Sequence, residues 1–96
     1  MKLLALEAEV EGVLPEHFEP HRKAEARRAW ELYQSGVIRE IYFRADRAEA
    51  VLILECADVK EAQQILATLP LVQAGLIRFD IIPLTPYPGF GRLFQE

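Results

Sequence analysis

Ionisable side chains cluster on the first predicted helix of this chain. His17, His21 and Glu25 lie four residues apart, so an unbroken helix would place them on one face. Imidazole titrates near neutrality and a carboxylate can act as base, so the spacing suits proton transfer. A metal site is the weaker alternative, because the chain has only these two histidines, and we predict no metal. The plainest alternative is two solvated histidines near a helix start.

Other side chains are candidates to bind a ligand. Arg28 and Arg44 could each bind a substrate carboxylate, because a guanidinium offers it two parallel hydrogen bonds. Trp30, Tyr33 and Tyr42 could line a pocket between the helix and a sheet. The alternatives are that glutamates of the same helix pair with its arginines, and that the aromatic rings pack in a core or an interface.

Hydrophobic periodicity predicts the elements that position these side chains. Strands are predicted at residues 2–10, 38–45, 49–57 and 76–83, and helices at residues 15–34 and 58–69. Pro20 implies a kink in the first helix or a restart there, and Gly36 is its predicted C-terminal cap. Asp58 and Glu61 form a capping-box start for the second helix, which Pro70 stops.

The order β-α-β-β-α-β favours a ferredoxin-like α+β fold, in which a four-stranded antiparallel sheet carries both helices on one face. For the first strand we predict that Leu4, Leu6, Ala8 and Val10 face the helices, and that Leu3, Ala5, Glu7 and Glu9 lie on the opposite face. That opposite face mixes charged with apolar residues. Two copies are therefore expected to pack sheet to sheet as a dimeric α+β barrel.

The chain is expected to divide into a domain at residues 1–84 and a C-terminal arm at residues 85–96. The arm contains three aromatic residues and a leucine, whereas disordered tails are usually poor in aromatics. Its prolines and glycines predict no regular structure. We expect it to dock on a neighbouring subunit, where it could roof a pocket.

Composition limits the classes of function. Ninety-six residues make one domain, and a net charge of −4 argues against nucleic acid as the partner. No apolar run approaches a membrane span and no signal-peptide layout is present. The single cysteine, Cys56, fits a core position in a cytoplasmic protein. The chain has no asparagine and no methionine after Met1, which favours a thermophilic source.

Several segments resemble the muconolactone isomerase family across nearly the whole chain. They are Leu69-Pro70-Leu71, the strand end Phe79-Asp80-Ile81-Ile82-Pro83-Leu84, the helix end Leu32-Tyr33-Gln34-Ser35-Gly36 and the helix start Leu14-Pro15. The resemblance implies a homo-oligomer of barrel dimers that exchange C-terminal arms. It also implies a pocket between the first helix and the sheet, and a cofactor-independent enzyme that moves a double bond in a small unsaturated lactone carboxylate.

The resemblance assigns roles to particular residues. Glu25 would be the base, His21 or His17 the proton relay, and Arg28 or Arg44 the carboxylate anchor. The family pattern leads us to expect a lysine at position 26 and a histidine at position 40, where this chain has Ala26 and Glu40. Two alternatives stay open: a non-catalytic small-molecule-binding or assembly module of the same fold, and a cofactor-free monooxygenase or decarboxylase.

Overall fold

The structure, a computed structural model, describes residues 1–95. Its elements are β1 (Lys2–Glu9), α1 (Pro15–Phe18), α2 (Arg22–Gln34), β2 (Ile38–Phe43), β3 (Ala50–Glu55), α3 (Val59–Leu66), α4 (Pro70–Gln73) and β4 (Ile77–Pro83). Two 3₁₀ helices span Glu19–His21 and Gly89–Phe94. Within residues 1–95, no helix combines the length and the apolar character needed to cross a membrane.

The four strands form one antiparallel sheet in the order β2-β3-β1-β4. The first and last strands of the chain pair with each other from Leu3 opposite Pro83 to Glu9 opposite Ile77. This order is that of a ferredoxin-like α+β fold. The predicted fold class and strand order are therefore confirmed.

Pro20 divides the first predicted helix. Proline lacks the N–H that an α-helical hydrogen bond needs, and the chain passes through the 3₁₀ helix Glu19–His21 before α2 begins at Arg22. Of the two possibilities that the sequence left open, the restart is the observed one. The helix then ends at Gln34, and Gly36, two residues later, has the left-handed φ of +86° that is typical beyond a helix C-terminus.

The core lies between the sheet and the two longer helices. Leu3 and Ala5 of β1 are fully buried there, together with Leu32 of α2 and Leu66 of α3. Cys56 is also buried in this cluster, as expected for a small core residue.

The predicted orientation of β1 is wrong. Its core residues are at odd positions, so Leu3, Ala5 and Glu7 face the helices, whereas Leu4 and Leu6 are partly exposed on the other side. The even positions Leu4, Leu6 and Ala8 are more apolar than the odd positions, which include Glu7 and Glu9, so alternation alone indicated the wrong face.

Local irregularities shape the region between α2 and the sheet. The register of β2 shifts between Ile38 and Glu40, and such a bulge allows Ile38 and Ile41, three residues apart, to face the same side.

Pro70 begins a separate short helix. The helix α3 already ends at Leu66, and Pro70 is the first residue of α4. This position suits proline, because a backbone N–H there would have no partner within the helix.

The sheet face opposite the helices is uncovered in the single chain. It presents the apolar side chains Leu4, Leu6, Val51, Ile53 and Ile82 beside Glu40, Tyr42, Glu55, Arg78 and Asp80. Tyr42 donates a 2.7 Å hydrogen bond to Glu40, and Arg78 donates one of 3.1 Å to Asp80. Apolar and charged side chains are therefore mixed on an open surface.

The C-terminal arm projects from the domain. Residues 84–95 are exposed apart from Gly89, and Phe94 is 83% exposed. The radius of gyration is 15.8 Å, against about 12–13 Å for a compact domain of this length. The arm also contains the 3₁₀ helix Gly89–Phe94, so the prediction that it has no regular structure is wrong. Glu96 lies outside the described residues.

The orientation of β1 can be tested with two neighbouring leucines. Leu3→Ala should lower the free energy of unfolding by about 2–5 kcal/mol, because it leaves a cavity in the core. Leu4→Ala should cost clearly less, since Leu4 is already partly exposed. Urea unfolding at several protein concentrations, which separates subunit association from folding, measures both. A larger loss for Leu4→Ala at every concentration would contradict this orientation.

Candidate functional site

A cleft lies between α2 and the sheet. It has a volume of about 250 Å³, just below the roughly 300–1,000 Å³ of typical small-molecule pockets. Its lining residues, the α2 cleft from here on, are Glu7, Arg22, Glu25, Ala26, Ala29, Ile38, Ile41, Phe43, Ala50, Leu52, Leu69, Leu71 and Phe79. Ten of these thirteen side chains are apolar, so the polar groups are few and close to a hydrophobic wall.

Glu25 projects from α2 into this cleft and is half-buried. Its Oε1 accepts a 2.9 Å hydrogen bond from the backbone N–H of Leu71. That N–H lies in the first turn of α4, where backbone donors have no partner within the helix. Burial raises the pKa of Glu25 above its ordinary value, whereas the Leu71 hydrogen bond and the charge of His21 act in the lowering direction.

Glu7 is a second half-buried carboxylate in the same cleft. Its Oε1 accepts a 3.3 Å hydrogen bond from the N–H of Ala50 on β3. Burial raises the pKa of Glu7, and the negative charges of Glu49, Glu25 and Glu9 raise it further against the opposing effect of the Ala50 hydrogen bond. We predicted Glu7 on the opposite face of the sheet, so sequence reasoning missed this residue.

Arg22 is the cation of the α2 cleft and also lines the neighbouring pocket beyond Glu7. Its Nε donates a 3.0 Å hydrogen bond to Glu19, and its guanidinium lies 5.9 Å from the centre of the Phe18 ring. Both the Arg22 and Glu19 side chains are mostly exposed, so this ion pair is weak and a bound anion could replace it.

The two histidines have different surroundings. The Nδ1 of His17 accepts a 3.1 Å hydrogen bond from the N–H of Leu14 at the start of α1, so it caps that helix and does not line the α2 cleft. His21 is partly buried in the 3₁₀ helix, and its charge acts on Glu25. His17 is thus held away from the cleft, whereas His21 stays within electrostatic reach of Glu25.

The two arginines predicted as carboxylate anchors do not line the α2 cleft. Arg28 donates hydrogen bonds to Thr68 (2.9 Å) and Glu31 (3.2 Å). Arg44 binds both carboxylate oxygens of Asp46, at 2.8 and 2.6 Å, in the turn between β2 and β3. In the single chain, each of these guanidinium groups is committed to a structural contact outside the cleft.

The predicted aromatic residues are also outside the α2 cleft. Trp30 and Tyr33 stack with their ring centres 5.8 Å apart and line a shallower groove beside it with Ala26, Ala29 and Ile41. Tyr42 lies on the opposite face of the sheet, where it bonds Glu40. The α2 cleft and the groove below Trp30 thus share three lining residues, Ala26, Ala29 and Ile41.

The donor set of the α2 cleft suits proton transfer better than metal binding. Within residues 1–95, no group of three or more His, Cys, Asp or Glu side chains is arranged to hold a metal ion. Two carboxylates with raised pKa values in an apolar wall can instead exchange protons with a bound carbon acid. The guanidinium of Arg22 supplies the positive charge that an anionic ligand requires.

Two comparisons with known proteins bear on this arrangement. A crystal structure of muconolactone isomerase at 3.3 Å resolution superimposes with a TM-score of 0.72 at 18% sequence identity, covering 92% of each chain. No curated protein matches the sequence significantly. The sequence profile of the family described as muconolactone delta-isomerase matches residues 5–89. The chain therefore belongs to the muconolactone delta-isomerase family.

Proposed function

We propose that this protein is a cofactor-independent isomerase that moves a C=C bond in a small unsaturated lactone carboxylate. The observation that carries the proposal is Glu25, a half-buried carboxylate in an apolar cleft with its orientation fixed by the Leu71 N–H. Membership of the family and the likeness of fold support the same reaction class.

Glu25 is the proposed base. Its raised pKa makes it a stronger base than an exposed glutamate, while the hydrogen bond from Leu71 fixes the oxygen that accepts it. It removes a proton next to the conjugated system of the substrate, and an acid then returns a proton further along that system. His21, whose charge acts on Glu25, is the proposed relay of protons between Glu25 and solvent. His17 has no part in this scheme, because it caps α1.

Arg22 is the proposed carboxylate anchor, in place of Arg28 and Arg44. It is the cation that lines the α2 cleft, and only one of its donors is engaged by Glu19 within the described residues. A substrate carboxylate that binds there leaves the rest of the molecule against the apolar wall near Glu25. The positive charge of Arg22 would offset the repulsion between the substrate carboxylate and the two glutamates of the cleft.

We further propose that the protein works as a homo-oligomer. The uncovered sheet face carries the self-complementary mixture of apolar and charged residues that a sheet-to-sheet dimer buries. The exposed arm supplies Tyr87, Phe90, Leu93 and Phe94, and the open groove below Trp30 is an apolar surface of the kind that such an arm would cover.

A second candidate function is favoured by one observation. Ala26, which lines the α2 cleft, and Glu40, which lies on the opposite sheet face, stand where the family resemblance leads us to expect a lysine and a histidine. A protein without those two groups could bind small molecules of the same class without turning them over.

The reaction can be tested with muconolactone in deuterated water, followed by proton NMR beside a buffer control. Deuterium incorporation next to the conjugated system, or conversion of the lactone, is the expected result. Glu25→Gln should reduce both by roughly 10²–10⁴-fold, because the amide cannot accept the proton. Its oxygen can still accept the Leu71 hydrogen bond, so folding should be retained. Glu31→Gln, exposed on the same helix, is the matched control. Binding of muconolactone without exchange or conversion would favour the binding module.

The anchor can be tested by kinetics. Arg22→Ala should raise KM by about 10- to 100-fold, the loss expected for hydrogen bonds between charged groups, with a much smaller change in kcat. Arg27→Ala, an exposed arginine of the same helix, should leave both constants near their wild-type values. An unchanged KM for Arg22→Ala would remove Arg22 from the substrate-binding site.

The role of the arm can be tested by truncation. Deletion of residues 87–96 should weaken the oligomer, because it removes four large apolar side chains that need a partner surface. Light scattering over a range of concentrations would show a smaller mass than for the full chain. An identical mass at every concentration would exclude a role of the arm in assembly.

A further inference from the structure

We propose that Glu7 is the catalytic acid that complements Glu25, so that the two carboxylates of the α2 cleft form the acid–base pair of the reaction. This inference rests on the proposed isomerase function and adds a residue to it. The proposed reaction also needs an acid that returns a proton to the substrate after Glu25 has removed one.

The lining of the cleft leaves few candidates for that acid. Among the thirteen residues that line it in the described part of the chain, three are ionisable: Glu7, Arg22 and Glu25. A guanidinium does not release its proton in proteins, which removes Arg22. Since Glu25 is the base, Glu7 is the remaining ionisable side chain. Position 26, on the same wall, is an alanine.

The two carboxylates come from different elements and are fixed independently. Glu7 is on the central strand β1 and bonds the Ala50 N–H of β3 at 3.3 Å. Glu25 is on α2 and bonds the Leu71 N–H of α4 at 2.9 Å. One carboxylate thus approaches the cleft from the sheet and the other from the helix layer, so a flat substrate held between the layers meets both.

The surroundings of the two groups assign the roles. Glu49, immediately before β3, acts on Glu7 with a negative charge although Arg44 and Arg47 each lie 3.8 Å from it, and Glu9 on the same strand as Glu7 adds another negative charge. From α2, Glu25 acts in the same direction, and Arg22 is the cation on the same wall. These negative charges and burial raise the pKa of Glu7, which favours its protonated form.

Glu25 has the opposite influence beside it. His21 carries a charge that lowers the pKa of Glu25 against the effect of burial. The negative charge of Glu25 thus favours the protonated form of Glu7, whereas the charge of His21 favours the ionised form of Glu25. A pair of carboxyl groups whose environments differ in this way supplies one acid and one base at the same pH.

The reaction balances without a cofactor. Glu25 takes a proton from the saturated carbon attached to the conjugated C=C–C=O system, and the electron pair of the broken C–H bond moves into that system to give a dienolate. A new C–H bond then forms at the carbon next to the carbonyl with the proton of Glu7. The substrate loses one proton and gains one, the double bond moves, and nothing is oxidised. Transfer of a proton from Glu25 to Glu7, directly or through water, restores the pair.

The first measurement is an NMR titration of the protein without substrate, labelled with ¹³C at the glutamate carboxyl carbons. Glu7→Gln and Glu25→Gln assign the two resonances by their disappearance. We expect Glu7 to titrate at higher pH than Glu25, and Glu25→Gln to lower the pKa of Glu7 by removing a negative charge. Glu11→Gln, an exposed carboxylate beyond the end of the same strand, should change neither. Titration of Glu7 at or below the pH of Glu25 would overturn the inference.

The second measurement separates the two proton transfers with muconolactone in deuterated water. Glu7→Gln should still exchange the hydrogen that Glu25 removes, while net isomerisation falls by roughly 10²–10⁴-fold. The wild-type rate should fall at low pH, where Glu25 is protonated, and at high pH, where Glu7 is ionised. The residual rate of Glu7→Gln should lose only the fall at high pH. The amide keeps an oxygen for the Ala50 hydrogen bond, and urea unfolding checks the fold.

The outcomes distinguish the two proposals. Isomerisation by Glu7→Gln at the wild-type rate would overturn the role of Glu7 and leave the proposed function in place. A wild-type protein that neither exchanges nor isomerises muconolactone would overturn the proposed function, and the titration would then decide alone whether the carboxyl pair exists. Loss of exchange together with isomerisation in a folded Glu7→Gln would also contradict the division of roles.

Discussion

The hydrogen bond between Glu25 and the Leu71 N–H is the contact on which the arrangement of the cleft depends. It joins α2 to α4 across 46 residues of sequence, and it exists because Pro70 begins a helix whose first turn has an N–H to donate. Leu69, buried at 2% exposure, holds that turn in the core. A carboxylate moved into an apolar wall would otherwise lose its hydration without compensation. The segment Leu69-Pro70-Leu71 thus supplies the backbone N–H that holds the Glu25 carboxylate in the cleft.

The same wall is open at one end because β2 extends beyond the cover of α2. Phe43 is 69% exposed and Ile41 is 44% exposed, although both face the helix side of the sheet. A single chain of this size cannot cover every apolar surface that it forms. The bulge in β2 keeps Ile38 in the core while these two residues line the opening. The incompleteness of the core therefore leaves a cleft beside α2 and apolar surfaces open to solvent.

The sequence predicted the strand order, the caps and the location of Glu25, because turn residues and periodicity are local signals. It oriented β1 wrongly, because the even positions Leu4, Leu6 and Ala8 are all apolar whereas the odd positions include two glutamates. Glu7 was consequently placed on the wrong face. A carboxylate in mid-strand, following two core positions at a spacing of two, was the signal that could have located it. The contacts of Arg28 with Thr68 and of Arg44 with Asp46 depend on tertiary and turn geometry that spacing does not contain.

Because the donor to Glu25 is a backbone N–H, its presence does not depend on the identity of the side chain at position 71. Only a change to proline removes that donor. Leu71 itself lines the cleft. Its main chain supplies the hydrogen-bond donor to Glu25, and its side chain forms part of the apolar wall. Substitutions at position 71 can therefore change the outline of the cleft while the Glu25 carboxylate keeps its position. At this residue, the shape of the cleft and its hydrogen bonding can vary independently.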